Sequence, residues 1–207
     1  MKQYPEIPRS TGTSFMELPG AYIFDKLDGR HVRVEWSKKR GFYKYGTRHH
    51  LFDHTDPDYA PAITHVGKYF AEKLERIFVD NRWESVVAFF ELWQDHSLGG
   101  TFNTNEIFHL TLLDVSPYKM GLMKPKQFVE MFEDVVDTPK LLSVENWNRH
   151  LIEAIRMNEL PGITFEGAVG KSWVHNSVVM SKAKTQQWRD AIMDKYGAVK
   201  GTELVNS

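Results

Sequence analysis

The sequence predicts an α+β fold in which antiparallel sheets are flanked by helices. Three observations carry this. His31 to Trp36 alternates apolar and polar residues, as a half-buried strand does. Ala62 to Asn81 repeats its apolar residues at helical spacing. Strand-like and helix-like segments then follow one another without a recurring unit, so each must be read by itself.

Taken in order, Ala21 to Asp25 is a short apolar run. In the next segment Val32, Val34 and Trp36 share one face, and His31, Arg33 and Glu35 the other. Ser37 to Gly41 is polar, basic and ends in Gly. It leads into Phe42 to Tyr45, so the pair reads as a hairpin. After Pro61 at a first helical position, Ile63, Val66, Phe70, Leu74, Ile77 and Phe78 predict a helix over Ala62 to Asn81. Val86 to Trp93 and Ile107 to Val115 are β-branched and aromatic runs, hence strands. Phe128, Met131, Phe132 and Val135 mark a helix after Pro125. Trp147, Leu151 and Ile155 mark another that stops before Pro161 and Gly162. Ile163 to Lys171 and Val178 to Lys184 read as two further strands, and Gln186 to Tyr196 as a last helix.

Composition narrows the class of protein. A chain of 207 residues, 42% hydrophobic and 13% aromatic, can bury a core as one domain or two small ones. With 26% charged residues and a net charge of -1, no global basic field surrounds it, so any anion-binding surface must be local. The absence of cysteine excludes a disulfide scaffold, a thiolate metal site and a cysteine nucleophile. Met1 to Arg9 is interrupted by Pro5 and Pro8 and lacks an apolar signal region, and no apolar run is long enough to span a bilayer. The expectation is a cytoplasmic protein with no membrane partner.

Four short segments carry chemistry. Lys26, Leu27, Asp28 and Gly29 form a Lys-x-Asp-Gly pattern where a strand turns into the next. Such a pattern arises by chance in roughly one chain in twenty of this length, and a plain β-turn explains it as well. Glu91 follows Phe90 inside an apolar strand, where a carboxylate is costly unless a ligand, metal or cation satisfies it. Glu166, Gly167, Ala168, Val169, Gly170 and Lys171 form Glu-Gly-x-Val-x-Lys, expected by chance in fewer than about one such chain in a hundred. Lys182 and Lys184 share one face of a strand by its period of two.

In this order and spacing the four segments resemble the nucleotidyltransferase motifs shared by ATP-dependent DNA ligases, RNA ligases and mRNA capping enzymes. The resemblance runs from Asp25 to Lys184. Tyr45 to Arg48 resembles that family's arginine-bearing segment after the first hairpin, and Leu112 to Val115 the strand between its third and fourth motifs. The resemblance implies a single nucleotidyltransferase (ATP-grasp-like ligase) catalytic domain over residues 1–207. With Thr185 to Ser207 following the last motif, it implies no C-terminal OB-fold. It further implies that Lys26 takes AMP from ATP, passes it to a 5′-phosphate, and that a 3′-hydroxyl then displaces it. Lys182 and Lys184 would join Lys26 in catalysis. Asp25, Asp28, Gly29, Arg30, Arg48, Glu91, Glu166 and Lys171 would hold the nucleotide, with Glu91 and Glu166 also facing Mg²⁺ or Mn²⁺.

Chemistry explains these residue types. A free lysine has a pKa near ~10.4, and a nucleophile must be unprotonated, so neighbouring cations are needed to disfavour its charge. The same cations stabilise the charge of the transferring phosphoryl group. Glu91 suits the ribose hydroxyl and Glu166 the metal, and Arg30 or Arg48 would clamp the accepting phosphate. Two positions depart from the family pattern. Leu113 stands where an aromatic residue often stacks on adenine, leaving Phe90 or Tyr118 for that task. Arg30 follows Gly29 at once, with His31 in the usual place of the arginine.

The segment Lys26 to Trp36 and the missing OB-fold resemble compact phage-type RNA ligases. This implies RNA rather than DNA as substrate, a role in RNA repair, a host cytoplasm if phage-encoded, and possibly a protein partner supplying the missing domain. Nucleic acid would then be held by Lys38, Lys39, Arg40 and Arg48, and Glu166→Gln would leave stability within about 1 kcal/mol. A minimal DNA ligase, a capping guanylyltransferase and a non-catalytic binding module with the same fold are the alternatives. A binding module has no need for the set Lys26, Glu91, Glu166, Lys182 and Lys184. His49, His50 and His54 read as a solvated or substrate-facing loop, and the six tryptophans chiefly as core.

Overall fold

In the computed structural model of the chain, residues 1–10, 15–103 and 105–206 are described. The chain forms two compact units, each with one antiparallel sheet. The first comprises Met1–Pro5, Arg30–Asp95 and Thr104–Thr138, and the second Glu6–Gly29, His96–Asn103 and Pro139–Ser207.

The first unit carries a five-stranded sheet. Its strands are β2 (Gly29–Ser37), β3 (Gly41–Gly46), β4 (Leu51–Phe52), β5 (Ser85–Trp93) and β6 (His109–Pro117), in the order β4-β3-β2-β5-β6. Alternation in β2 sends Val32, Val34 and Trp36 to full burial, as their spacing predicts. The expected helix over 62–81 is instead three pieces: α1 (Ala60–His65), a π-helical turn (Val66–Phe70) and α2 (Ala71–Asp80). Ala62, Val66, Phe70, Leu74 and Phe78 are all buried and lie four residues apart. A pure α-helix would rotate such a series steadily off one face, and the wider π turn takes up part of the drift. Phe70 meets Phe90 edge-on with centroids 5.2 Å apart, and Phe78 meets Trp36 at 5.2 Å, which packs this helical layer on the sheet. Helix α3 (Pro125–Phe132) buries Phe128 and Phe132.

The second unit holds β1 (Leu18–Lys26), β7 (Leu141–Trp147), β8 (Gly167–Val174) and β9 (Ser177–Lys184), in the order β7-β1-β8-β9. Its core is Leu18, Ala21, Ile23, Trp147, Ala168 and Ala183 from the sheet against Leu151, Ile152 and Ile155 of α4 (Arg149–Arg156). Trp147, expected to open a helix, is instead the last residue of β7. Asn148 caps α4 by accepting from the Leu151 amide at 2.9 Å. The strand expected at Ile163 starts at Gly167, and it joins β9 through His175 and Asn176, whose φ angles of 46° and 61° suit a tight two-residue hairpin turn. Helix α5 (Gln186–Asn206) runs past Tyr196 with a non-helical Gly197 inside it.

Candidate active site

Lys26 is the last residue of β1, a central strand, and pairs with Gly167, the first residue of β8. Gly167 pairs in turn with Lys184 and Val169 with Lys182 on β9. Register alone therefore gathers three lysines around Glu166. Glu166 is buried, and its two carboxylate oxygens are shared: Oε2 lies 2.6 Å from Lys26 Nζ and Oε1 lies 3.4 Å from Lys184 Nζ. Gly167 has φ of 149°, and a Cβ there would stand 2.0 Å from the Ala183 carbonyl oxygen. Only glycine lets β8 lie this close to β9 while the chain turns Glu166 toward Lys26. Gly170 is equally constrained, because its Cβ would meet the Trp147 ring at 2.5 Å.

Lys184 is held tightly. Its side chain is 3% exposed, Nζ donates to the Leu204 carbonyl at 3.2 Å and lies 4.1 Å from the Trp188 ring centroid. Burial above all lowers its pKa, against the pull of Glu166, with Lys26 adding to the lowering. Lys26, Asp28, Gly29, Gly99, Gly100, Glu166, Lys182, Lys184, Trp188 and Leu204 together line a pocket of about 170 Å³. That is smaller than the roughly 300 Å³ from which drug-sized ligand pockets begin. It suits a phosphoryl group between cations.

Asp28 and Asp25 serve as fasteners. Asp28 Oδ2 accepts from Gly99 N at 2.8 Å and Trp188 Nε1 at 2.6 Å, and Oδ1 from Gly100 N at 2.9 Å. It thereby ties the motif turn to the loop 96–103 and to α5. Burial chiefly raises its pKa, with Glu166 adding to the rise. Asp25 Oδ1 accepts from Thr164 N at 3.0 Å and Oδ2 from Thr164 Oγ1 at 2.8 Å, anchoring the segment that leads to Glu166. Lys171 is buried with Nζ 4.9 Å from the Phe24 ring centroid. Gly99, Gly100 and Trp188 were not signalled by any motif. The Gly-Gly pair at positive φ was the one local hint, and Trp188 read only as core.

Glu91, Arg30 and Arg48 belong to the first unit. Glu91 is half-buried on β5, opposite Thr111, and its charge helps raise the pKa of Tyr4, after burial and Asp114. Tyr4 stacks on His31 with centroids 5.1 Å apart, lies 4.9 Å from Phe89, and donates its hydroxyl to Asp114 Oδ2. Arg30 pairs with Asp58 at 3.1 Å and lies over the Tyr59 ring. Phe90 cannot stack on a base, because it is fully buried against Phe70. Tyr118 is 66% exposed, beside Lys119. His49 and His50 are exposed around a turn closed by Thr47, and the segment expected to be a loop there also forms β4. Among the described residues no group of three or more His, Asp or Glu could hold a metal ion by itself. Glu166 offers a single carboxylate already contacting two ammonium groups, a donor set that fits an ion held mainly by nucleotide phosphates. No helix among the described residues is long and apolar enough to cross a membrane.

No protein-family model matches the sequence, and no curated protein does. Solved structures do. An archaeal ATP-dependent RNA ligase superposes with a TM-score of 0.65 at 14% identity, covering 94% of this chain and 51% of that one. A Naegleria gruberi RNA ligase with pyrophosphate gives 0.56 at 17% identity over 85% and 51%, and a mutant of it with AMP and Mn gives 0.58 at 16% over the same shares. The chain spans about half the length of the ligases it matches. With two antiparallel sheets and helices around them, the chain has the nucleotidyltransferase fold of ATP-dependent RNA ligases.

Proposed function

We propose that the chain is the adenylyltransferase part of an ATP-dependent RNA ligase, with Lys26 as nucleophile. The observation that carries this is the sharing of one buried carboxylate, Glu166, between Lys26 and Lys184 in a phosphoryl-sized pocket. A lysine with no chemical task has little reason to sit at a strand end inside a cationic pocket. In the reaction, the Lys26 amine attacks the α-phosphorus of ATP. A P–N bond forms, the bond between the α-phosphorus and its bridging oxygen breaks, and pyrophosphate leaves with the electron pair. A 5′-phosphate oxygen then displaces lysine to give a 5′-adenylylated strand, and a 3′-hydroxyl displaces AMP to form the phosphodiester.

The side chains divide this work. Glu166 holds Lys26 oriented and is the near acceptor for its proton. Lys182 and Lys184 face the negative charge that develops on the phosphoryl oxygens. Asp28 sets the turn that carries Lys26, through Gly99, Gly100 and Trp188. A Mg²⁺ or Mn²⁺ ion entering with ATP would neutralise phosphate charge, with Glu166 as its protein ligand on this unit. Glu91, Arg30 and Arg48 remain the residues assigned to ribose and accepting phosphate. The RNA ligases of the same fold support RNA as substrate.

Intact mass after incubation with ATP and Mg²⁺ tests the reading. One AMP should add to the protein through an acid-labile, base-stable bond, and Lys26→Ala should abolish it. Equal labelling of the Lys26→Ala protein would remove Lys26 as nucleophile.

A further inference from the structure

Three arginines of the second unit converge from different elements. Arg9 lies beside β9, where its backbone bridges Lys182: Lys182 N donates to the Pro8 carbonyl at 3.0 Å and Ser10 N to the Lys182 carbonyl at 3.0 Å. Arg156 is the last residue of α4, and Arg189 lies in the first turn of α5. The pKa of Arg189 is lowered first by burial and then by the charges of Arg156 and Arg9, so the three guanidinium groups feel one another. Their partners are poor compensation. Arg9 Nη1 donates to the neutral Asn206 Oδ1 at 2.7 Å. Arg156 reaches the Ser10 carbonyl at 3.4 Å and the exposed Glu153 carboxylate at 3.7 Å. Arg189 Nε is buried and has no hydrogen-bond partner. A buried guanidinium donor left unpaired beside two like charges is unfavourable unless an anion completes it. The N-terminal end of α5 adds positive potential at the same place.

We propose that Arg9, Arg156 and Arg189 form a second anion subsite that binds a backbone phosphate of the RNA strand. The forked guanidinium groups match a tetrahedral oxyanion, and Arg189 Nε supplies the donor now unused. Because Arg9 is paired to Lys182, whose side chain lines the phosphoryl pocket, a strand gripped here is placed in register with that pocket. This subsite rests on the reading of the chain as an RNA ligase. It differs from the basic hairpin residues Lys38, Lys39 and Arg40 in being partly desolvated, so its phosphate contact resists solvent better.

The test measures binding of a 5′-phosphorylated single-stranded RNA by fluorescence anisotropy between about 50 and 200 mM salt. The proteins compared are wild type, Arg156→Gln, Arg189→Gln and the charge-matched control Arg76→Gln on an exposed face of α2. Loss of the subsite should weaken binding about tenfold and flatten the slope of log affinity against log salt by about 0.7, while Arg76→Gln changes little. AMP uptake from ATP should stay within about twofold of wild type, because none of the three arginines lines the phosphoryl pocket. Melting in inorganic phosphate gives a second readout. Phosphate should raise the Tm of wild type more than that of Arg156→Gln, and without phosphate the variant should be at least as stable, since a like charge is gone. Unchanged affinity and slope in both arginine variants would overturn the subsite, as would failure of the wild type to bind the RNA at all. A wild type that binds RNA through these arginines yet takes no AMP would sink the ligase reading and leave the subsite standing.

Discussion

Replacing Glu166 with Gln removes one charge and almost no volume, and the structure makes its cost calculable. Glu166 faces Lys26 at 2.6 Å and Lys184 at 3.4 Å, with side-chain exposures of 5% for Glu166, 21% for Lys26 and 3% for Lys184. At an effective dielectric of about 20 the two attractions are about 6 and about 5 kcal/mol before desolvation, which cancels much of both. The amide oxygen of Gln can still accept from one ammonium. What remains is Lys184, buried without its carboxylate, and breaking a buried pair in this way costs about 3 to 5 kcal/mol. Taking the lower figure, since Lys26 is partly exposed and can turn to water, Tm should fall by about 6 to 12 °C for a protein of this size. This replaces the expectation from sequence of a change within about 1 kcal/mol, which treated Glu166 as a metal ligand in an open site. Circular dichroism melts of Glu166→Gln and of Glu166→Gln with Lys184→Met would check it. The second substitution removes the stranded cation and should recover roughly half the loss. A single variant that melts within about 2 °C of wild type would refute the ion pairing on which the site is built.

Other outcomes follow from the same geometry. Burial, then Arg48 and Arg33, hold the His31 pKa at about 3 instead of 6.5. The unfolded chain therefore binds a proton that the folded one excludes. This stability is complete above the unfolded value and fades as pH falls toward the folded one, by about 2 kcal/mol at pH 5. His31→Phe should keep the stacking on Tyr4 and Phe89 and lose less stability between pH 7 and pH 5 in urea titrations. Equal losses in both proteins would dismiss His31 as the acid-sensitive group. Gly167→Ala should cost more than about 3 kcal/mol and depress AMP uptake by displacing Glu166, whereas a variant with wild-type melting would contradict the β8–β9 register. Sealing of a pre-adenylylated nick should be much faster with ribonucleotides than deoxyribonucleotides on the 3′-hydroxyl side, because 2′-hydroxyls let a protein tell RNA from DNA. Equal or faster sealing of an all-DNA nick would point to DNA instead.

What could be read along the chain was whatever local periodicity or residue order encodes. Val32, Val34 and Trp36 announced a half-buried strand because a period of two needs no distant partner. Glu166 to Lys171 marked its own site because the pattern combines a carboxylate, two glycines and a lysine in a few residues. Edge strand β7 escaped, since Leu141–Trp147 is mostly half-buried or exposed and pairs on one side only, leaving little hydrophobic pattern. The π turn escaped because apolar residues four apart are compatible with an ordinary helix until they must meet one sheet. By itself the sequence determined which residue types carry the chemistry, Lys26, Glu166, Lys182 and Lys184, and the strands that bear them. Only the tertiary structure decided that Glu166 pairs two lysines at once, that Asp28 is spent on Gly99, Gly100 and Trp188, and that Phe90 is core. Strand register and hydrogen bonds between residues some seventy to a hundred and sixty positions apart are set by packing, and local composition cannot express them.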